Sequence, residues 1–325
     1  MIPRSALCTM IVATVSSPLC VAQTTANTYP NKPIRLIALS SPGSGPDILG
    51  RLIGSQLLAA WGQAVVVDTR PGASGIIGTE IAARSAPDGY TLLIVTSQAA
   101  IVSAMYDKLP YDLIRDFSPI SLMGTTPFLL VVHPSVPATT TAEFIKYVKS
   151  KPGSLRYGSG GAGSPPHLCA EILKSMTGMD IQHIPYKGVT PAMTDTIAGE
   201  VQMLISVVPA VITNVRAGRL RALGVTSAKR TPIAPDIPAI ADTVPGYEFI
   251  GWYSIFAPAN TPKALVDKLN AELLKIANSP ATRTRLAAMG VDALGSSVKE
   301  LADYLPQQIE KMRVAVKTSG ARVER

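Results

Sequence analysis

The chain has 325 residues, 47% of them hydrophobic and 16% charged, with 30 Lys+Arg against 22 Asp+Glu for a formal charge of +8. So much apolar material with so little charge rules out a disordered chain, and three Cys are too few for a disulfide scaffold. An aromatic content of 5% argues against a stacking platform for single-stranded nucleic acid.

The length fits about two domains. Residues 1–22 read as a cleaved signal peptide. Met1–Arg4 is a short positive start and Ala6–Val15 a short apolar run, and Cys20-Val21-Ala22 offers small residues before Gln23. The alternatives are a frayed terminus or a short membrane helix, but the run is too short to span and holds Thr9 and Thr14. The leader takes Arg4, Cys8 and Cys20 with it. The mature chain then keeps a charge of +7 and one thiol, Cys169, expected to be buried. Two later stretches, 90–106 and 117–142, lack charged side chains. Thr96, Ser97 and Gln98 interrupt the first, and Pro119, Pro127, Pro134 and Pro137 break the second. Both read as buried strands joined by loops, in a mature protein outside the bilayer.

In chain order, a strand at Ile34–Leu39 leads to a helix at Asp47–Ala60, then a strand at Ala64–Val67, a helix near Ile76–Arg84 and a strand at Thr91–Thr96. A second series follows the strand Pro127–Val132. Its helices are Ala142–Lys149, His167–Thr177, Ala192–Ala198 and Ala210–Arg216, and its strands Leu155–Tyr157, Gln182–Pro185, Val201–Ser206 and Arg221–Val225. The apolar segment Tyr247–Ala257 crosses back. Thr261-Pro262 then starts a helix with Leu265, Leu269, Leu273 and Ile276 on one face, and two more helices fall near Ala281–Ala288 and Val298–Lys317. Alternation of this kind implies an α/β fold with mainly parallel sheets covered by helices. The organisation expected is two α/β lobes: residues 23–127 plus 252–325, and residues 128–251, joined by a hinge of two crossings.

Ligands of open parallel sheets bind at the C-terminal ends of the strands, so the loops after strands matter most. The first such loop is Ser40-Ser41-Pro42-Gly43-Ser44-Gly45-Pro46-Asp47. It enters a helix, whose N-terminus favours an anion, although a plain capped turn explains it as well. The second loop runs from Gly158 through Ser159, Gly160, Gly161, Ala162, Gly163 and Ser164 to His167. It contains G-x-G-x-x-G, the pattern of a dinucleotide site, which opens the rival reading of a nucleotide-dependent enzyme. The acid that such a site needs, Asp180, comes before the next strand rather than at its end. Two Gly/Ser loops facing each other across a cleft suit one small carboxylate-bearing molecule. A positive net charge steers an anion inward.

Catalytic constellations are poor. His133, His167 and His183 have no metal-ligand spacing, no G-x-S-x-G elbow is present, and Cys169 has no catalytic setting. No enzyme, metal or cofactor is expected. Lys146, Lys149 and Lys151 read as a solvated helix face, not a nucleic-acid stripe.

The mature chain resembles the substrate-binding proteins of tripartite tricarboxylate transporters, the Bug family. The matching motifs include Tyr29-Pro30-Asn31-Lys32-Pro33-Ile34-Arg35, Arg70-Pro71-Gly72-Ala73-Ser74-Gly75, Ala86-Pro87-Asp88-Gly89-Tyr90-Thr91-Leu92-Leu93, Pro185-Tyr186-Lys187-Gly188 and Ala217-Gly218-Arg219-Leu220-Arg221. The resemblance implies a periplasmic binding protein of type II-like fold with a deep cleft between two lobes; a monomer is expected. It implies capture of a small organic carboxylate between lobes and delivery to membrane permease subunits, without catalysis or cofactor. A sensory adaptor signalling to a membrane receptor remains an alternative. By the same resemblance the gripping loops fall on Ser40–Asp47 and Ser159–His167. The cleft is completed by Thr96, Ser97, Gln98, Ser206, Val207 and Trp252. The chain departs from the family pattern at Ser40, Pro46, Ala162, Ser164, Pro165 and Pro166, at Ser206 where an acid is common, and at Val102–Ala104. These departures remove polar groups, and the expected ligand is a carboxylate less polar than an amino acid or citrate.

Overall fold

The computed structural model describes residues 28–319, so the leader expected at residues 1–22 lies outside the described residues. The first series comprises β1 (Ile34–Ala38), α1 (Gly45–Trp61), β2 (Val65–Thr69), α2 (Ile76–Ala83), β3 (Thr91–Thr96) and α3 (Ser97–Met105). After β4 (Phe117–Val132) come α4 (Thr141–Ser150), β5 (Arg156–Ser159), α5 (Pro165–Thr177), β6 (Gln182–Pro185), α6 (Val189–Ala198), β7 (Met203–Val207), α7 (Val208–Arg216) and β8 (Arg221–Val225). The chain closes with β9 (Ile250–Pro258), α8 (Lys263–Asn278), α9 (Pro280–Ala288), β10 (Asp292–Ala293) and α10 (Val298–Ser319).

The strands join in the order β2-β1-β3-β9-β4-β7-β5-β6, with β8 and β10 also pairing β4. Strand β1 pairs β2 and β3 in parallel, and β5 pairs β6 and β7 in parallel, as βαβ crossovers require. The long strands β4 and β9 run antiparallel to their neighbours and tie the two parallel groups together. The α/β architecture read from the alternation is therefore present. We call the part containing β1, β2, β3, β9 and β10 the first half, and the part containing β5–β8 the second.

Two segments differ from the sequence reading. Residues 117–132 form one strand, not strands joined by loops. Its prolines sit where the ladder is already irregular. A register shift follows Pro119, and Pro127 is the last residue paired to β9 before Phe128 pairs with β7. Residues 97–105 form a helix that begins directly after β3. Ala99, Ala100, Ile101 and Val102 are all buried, so this helix shows no amphipathic stripe, and its β-branched residues imitate a strand.

Helix α1 buries Leu49, Ile53 and Leu57, one turn apart on one face. Gly50 and Gly54 lie on the same side, where a Cβ would come within 3.0 Å of Ile94 and 3.3 Å of Val65. The helix can thus lie close on the sheet. Helix α8 covers the same face of the first half, with Leu265, Leu269 and Leu273 in that core. On the opposite face, α10 packs against both α3 and α5. Its Leu301, Leu305 and Ile309 share one apolar cluster with Ile37 of the first half and Leu173 of the second. Cys169 lies in this cluster, fully buried.

The halves also meet at the turn after α9. Gly290 has φ +71°, and a Cβ built on it would lie 2.4 Å from Cδ of Pro209, at the start of α7. Replacing Gly290 with Ala should destabilise the protein by ~1–3 kcal/mol through left-handed strain and overpacking against a rigid ring. Urea or thermal unfolding reads this as a lowered midpoint, and an unchanged midpoint would contradict the contact.

Candidate functional site

A cavity of about 280 Å³ lies between the halves. Its walls come from strand ends and from the helices that follow them. Five helices begin on it: α1 contributes Pro46, α3 Ser97 and Gln98, α5 Pro165 and Pro166, α6 Val189 and Thr190, and α7 Ala210. The cap residues of these helices are Ser44, Thr96, Ser164, Gly188 and Val207, and none places a side-chain hydrogen bond on its own first turn. By contrast Thr140 and Ser279, which cap α4 and α9 away from the cavity, accept from Glu143 and Thr282. The five first turns thus carry the positive end of the helix dipole, and whatever N–H groups their prolines leave, with no side chain answering them.

No Asp, Glu, Lys, Arg or His side chain is among the described residues that line the cavity. Its polar groups are neutral. Ser97 and Ser206 are 4% and 1% exposed. Tyr253 stands opposite Thr96 in the β3–β9 ladder. Burial pushes its phenol up to about 12, so it remains a donor across ordinary pH. The remaining wall is apolar: Phe128, Val189, Met193, Val207 and Trp252. Trp252 is buried edge-on against Tyr304 of α10, with ring centroids 6.1 Å apart, and is thereby fixed in place.

Of the residues singled out in the sequence, Ser40, Thr96, Ser97, Gln98, Ser206, Val207 and Trp252 come together on this wall. Ser41, Gly43, Ser44, Gly45 and Asp47 do not reach it. Gly45 stands directly behind it, where a Cβ would lie 2.6 Å from the Tyr253 hydroxyl. Asp47 is turned inward to its own loop. It accepts from Gly43 N–H at 2.9 Å and pairs with Arg51 at 3.0 Å. The Arg51 guanidinium, then the Gly43 N–H, hold its carboxyl below the usual range.

The second loop also spends its polar groups internally. Gly161 N–H donates to Ser159 Oγ, Gly163 N–H to His167 Nδ1 at 3.2 Å, and Ser164 Oγ to Gly161 C=O at 2.7 Å. Ser159, Gly160, Ala162, Gly163, Ser164 and His167 lie off the wall, and Pro165 and Pro166 represent the loop there. Gly160 packs against the start of α6, where a Cβ would meet Val189 at 3.2 Å.

Tyr253, Phe128, Thr126, Gly251, Thr190 and Met193 line the cavity without having been singled out. Thr190 was findable, because Gly188 follows a strand and opens a helix, as the glycines of the other two loops do. Tyr253 was not, because its position depends on its register with β3.

Beneath the second loop His183 stacks between two rings, 4.3 Å from His167 and 4.8 Å from Tyr157. Its Nε2 lies 2.7 Å from Ser159 Oγ. Burial, then the neighbouring His167, depress its pKa to about 4. An unfolded His183 binds its proton near 6.5, so between about 6.5 and 4 the unfolded chain holds more protons than the folded one. Stability contributed here is present above 6.5 and lost as pH falls towards 4. Urea unfolding of His183→Gln should show a shallower pH slope across that window than the parent protein. Parallel slopes would refute the assignment.

The family model described as the tripartite tricarboxylate transporter family receptor matches residues 49–321. Protein BugT of Bordetella pertussis is 33% identical over 308 residues, covering 93% of this chain and 94% of BugT. Among solved structures, R. palustris Rpa4515 with adipate is 34% identical, covers 90% of this chain and 99% of its own, and superposes with a TM-score of 0.83. MatC from Rhodopseudomonas palustris with bound malate is 26% identical, covers 89% of this chain and 100% of its own, and has a TM-score of 0.78. The fold is that of the type II-like periplasmic binding proteins, and the chain belongs to the tripartite tricarboxylate transporter receptor family, the Bug-type solute-binding proteins.

Proposed function

We propose that this protein is an extracytoplasmic receptor that captures a small organic carboxylate in the cavity between its halves and hands it to the permease subunits of a tripartite tricarboxylate-type transporter. The observation that supports this best is the convergence of five uncapped helix N-termini on a cavity with no charged wall residue. Helix dipoles and first-turn N–H groups hold an anion without a paired cation. The adipate in Rpa4515 and the malate in MatC fit the same ligand class.

The mechanism is closure. Residues 23–127 with 252–325 form one lobe and 128–251 the other, and the ligand shifts the population towards the closed form. Trp252 and Tyr253 belong to the first lobe and Phe128 and Val207 to the second, so a ligand that touches both sets bridges the lobes. Residues 1–22 direct export to the periplasm.

A strain lacking the gene should lose uptake of the carboxylate that the purified protein binds; unimpaired uptake would remove the transport role while leaving binding intact. In isothermal titration, Tyr253→Phe with Ser97→Ala should weaken binding ~10-fold or more, by loss of two hydrogen-bonding groups facing an anion. Ser41→Ala, on an exposed part of the first loop, should leave it unchanged. Equal affinities for all three proteins would remove the cavity from consideration.

A further inference from the structure

The cavity has two chemically different walls. The wall from the first half and the crossing strands presents Ser40, Thr96, Ser97, Gln98, Thr126 and Tyr253, with Pro46 and Trp252 as its apolar side chains. The wall from the second half presents Phe128, Pro165, Pro166, Val189, Met193 and Val207. Only Thr190 and Ser206 interrupt its apolar character, and both are neutral hydroxyls.

Prolines sharpen the division. A proline has no N–H, so each one in a first turn removes a donor. Helix α5 begins Pro165-Pro166, α6 has Pro191 as its third residue, α7 has Pro209 as its second and α1 has Pro46 as its second. Helix α3 alone among the five starts without proline, as Ser97-Gln98-Ala99. It keeps all three first-turn N–H groups. The Ser97 side chain, 4% exposed and without a hydrogen-bond partner, opens into the cavity at the same place. Tyr253 adds its phenol from the facing strand.

We propose that the ligand is an amphiphilic monocarboxylate. Its anionic end seats on the N-terminus of α3, between Ser97, Gln98 and Tyr253. Its hydrocarbon or aromatic body lies against Phe128, Val189, Met193 and Val207. This rests on the receptor reading above and narrows it. A second carboxylate at the far end would be desolvated against that apolar wall with no cation to meet it.

Isothermal titration with cyclohexanecarboxylate, benzoate, adipate and cyclohexylmethanol tests the inference. At least one of the two monocarboxylates should bind ~10-fold or more tightly than adipate, a ratio of about 1.4 kcal/mol, and the alcohol should not bind. Met193→Lys, on a partly exposed helix position, should lower monocarboxylate affinity and raise that of adipate. Adipate binding as tightly as the best monocarboxylate in the parent protein would overturn the inference and leave the carboxylate receptor standing. Binding of the alcohol as tightly as the acids would overturn the anion seat. Failure of all three acids to bind would overturn the receptor reading and the inference with it.

Discussion

The arrangement depends on one strand. Residues 117–132 pair with β9 and β10 along their first part and with β7 and β8 along their second. A strand that serves two sets of neighbours must change partners somewhere, and the change falls at Pro127/Phe128. Proline cannot donate to a ladder, so it suits the residue where one ladder stops. Thr226 supplies what the transition needs: its hydroxyl accepts from Phe128 N–H at 2.8 Å. Phe128 and Thr126, either side of the change, line the cavity. The joint and the site are thus built from the same few residues.

Placing helix starts around such a joint yields an anion-friendly space without charged side chains. The scaffold behind it is apolar and continuous. Helix α10 lies over α3 and α5 together, and Trp252 is wedged against its Tyr304. The aromatic stack Tyr157–His183–His167 plays a similar part under the second loop, which it holds by Ser159. The loops that look most like ligand grips are engaged in holding their own shape. The residues after them, Pro46, Pro165 and Pro166, reach the cavity instead.

Much of the fold was legible because it is written locally. Period-two and period-3.6 patterns located nearly every strand and helix, and the motif series from Tyr29 onward identified the family. What could not be read is set by packing at a distance. The Ser97–Met105 helix is buried all round, so it lacks the stripe that reveals a surface helix. The prolines of β4 suggest breaks unless its pairing is known. The candidate cavity was legible in outline, since it opens at strand C-terminal ends, and seven of the residues chosen from the sequence line it. The contribution of Tyr253 rests on register. That of Met193 rests on where α6 packs, with Val189 and Thr190 beside it on the cavity. Neither leaves a trace in local sequence.

Capture of a carboxylate as proposed, by a cavity with no charged wall group among the described residues, would also have a chemical consequence for exchange with the medium. With the Tyr253 phenol held protonated across ordinary pH, the protein would neither take up nor release a proton at the site when it fills. Acid–base behaviour of binding would then belong to the cargo, the ionised acid being the form that the proposed site favours. As the surroundings acidify, occupancy would fall with the pKa of the ligand, while the cavity wall itself gains no charge. Sensitivity to salt is muted for the same reason, because partial charges fixed in buried backbone are poorly reached by mobile ions.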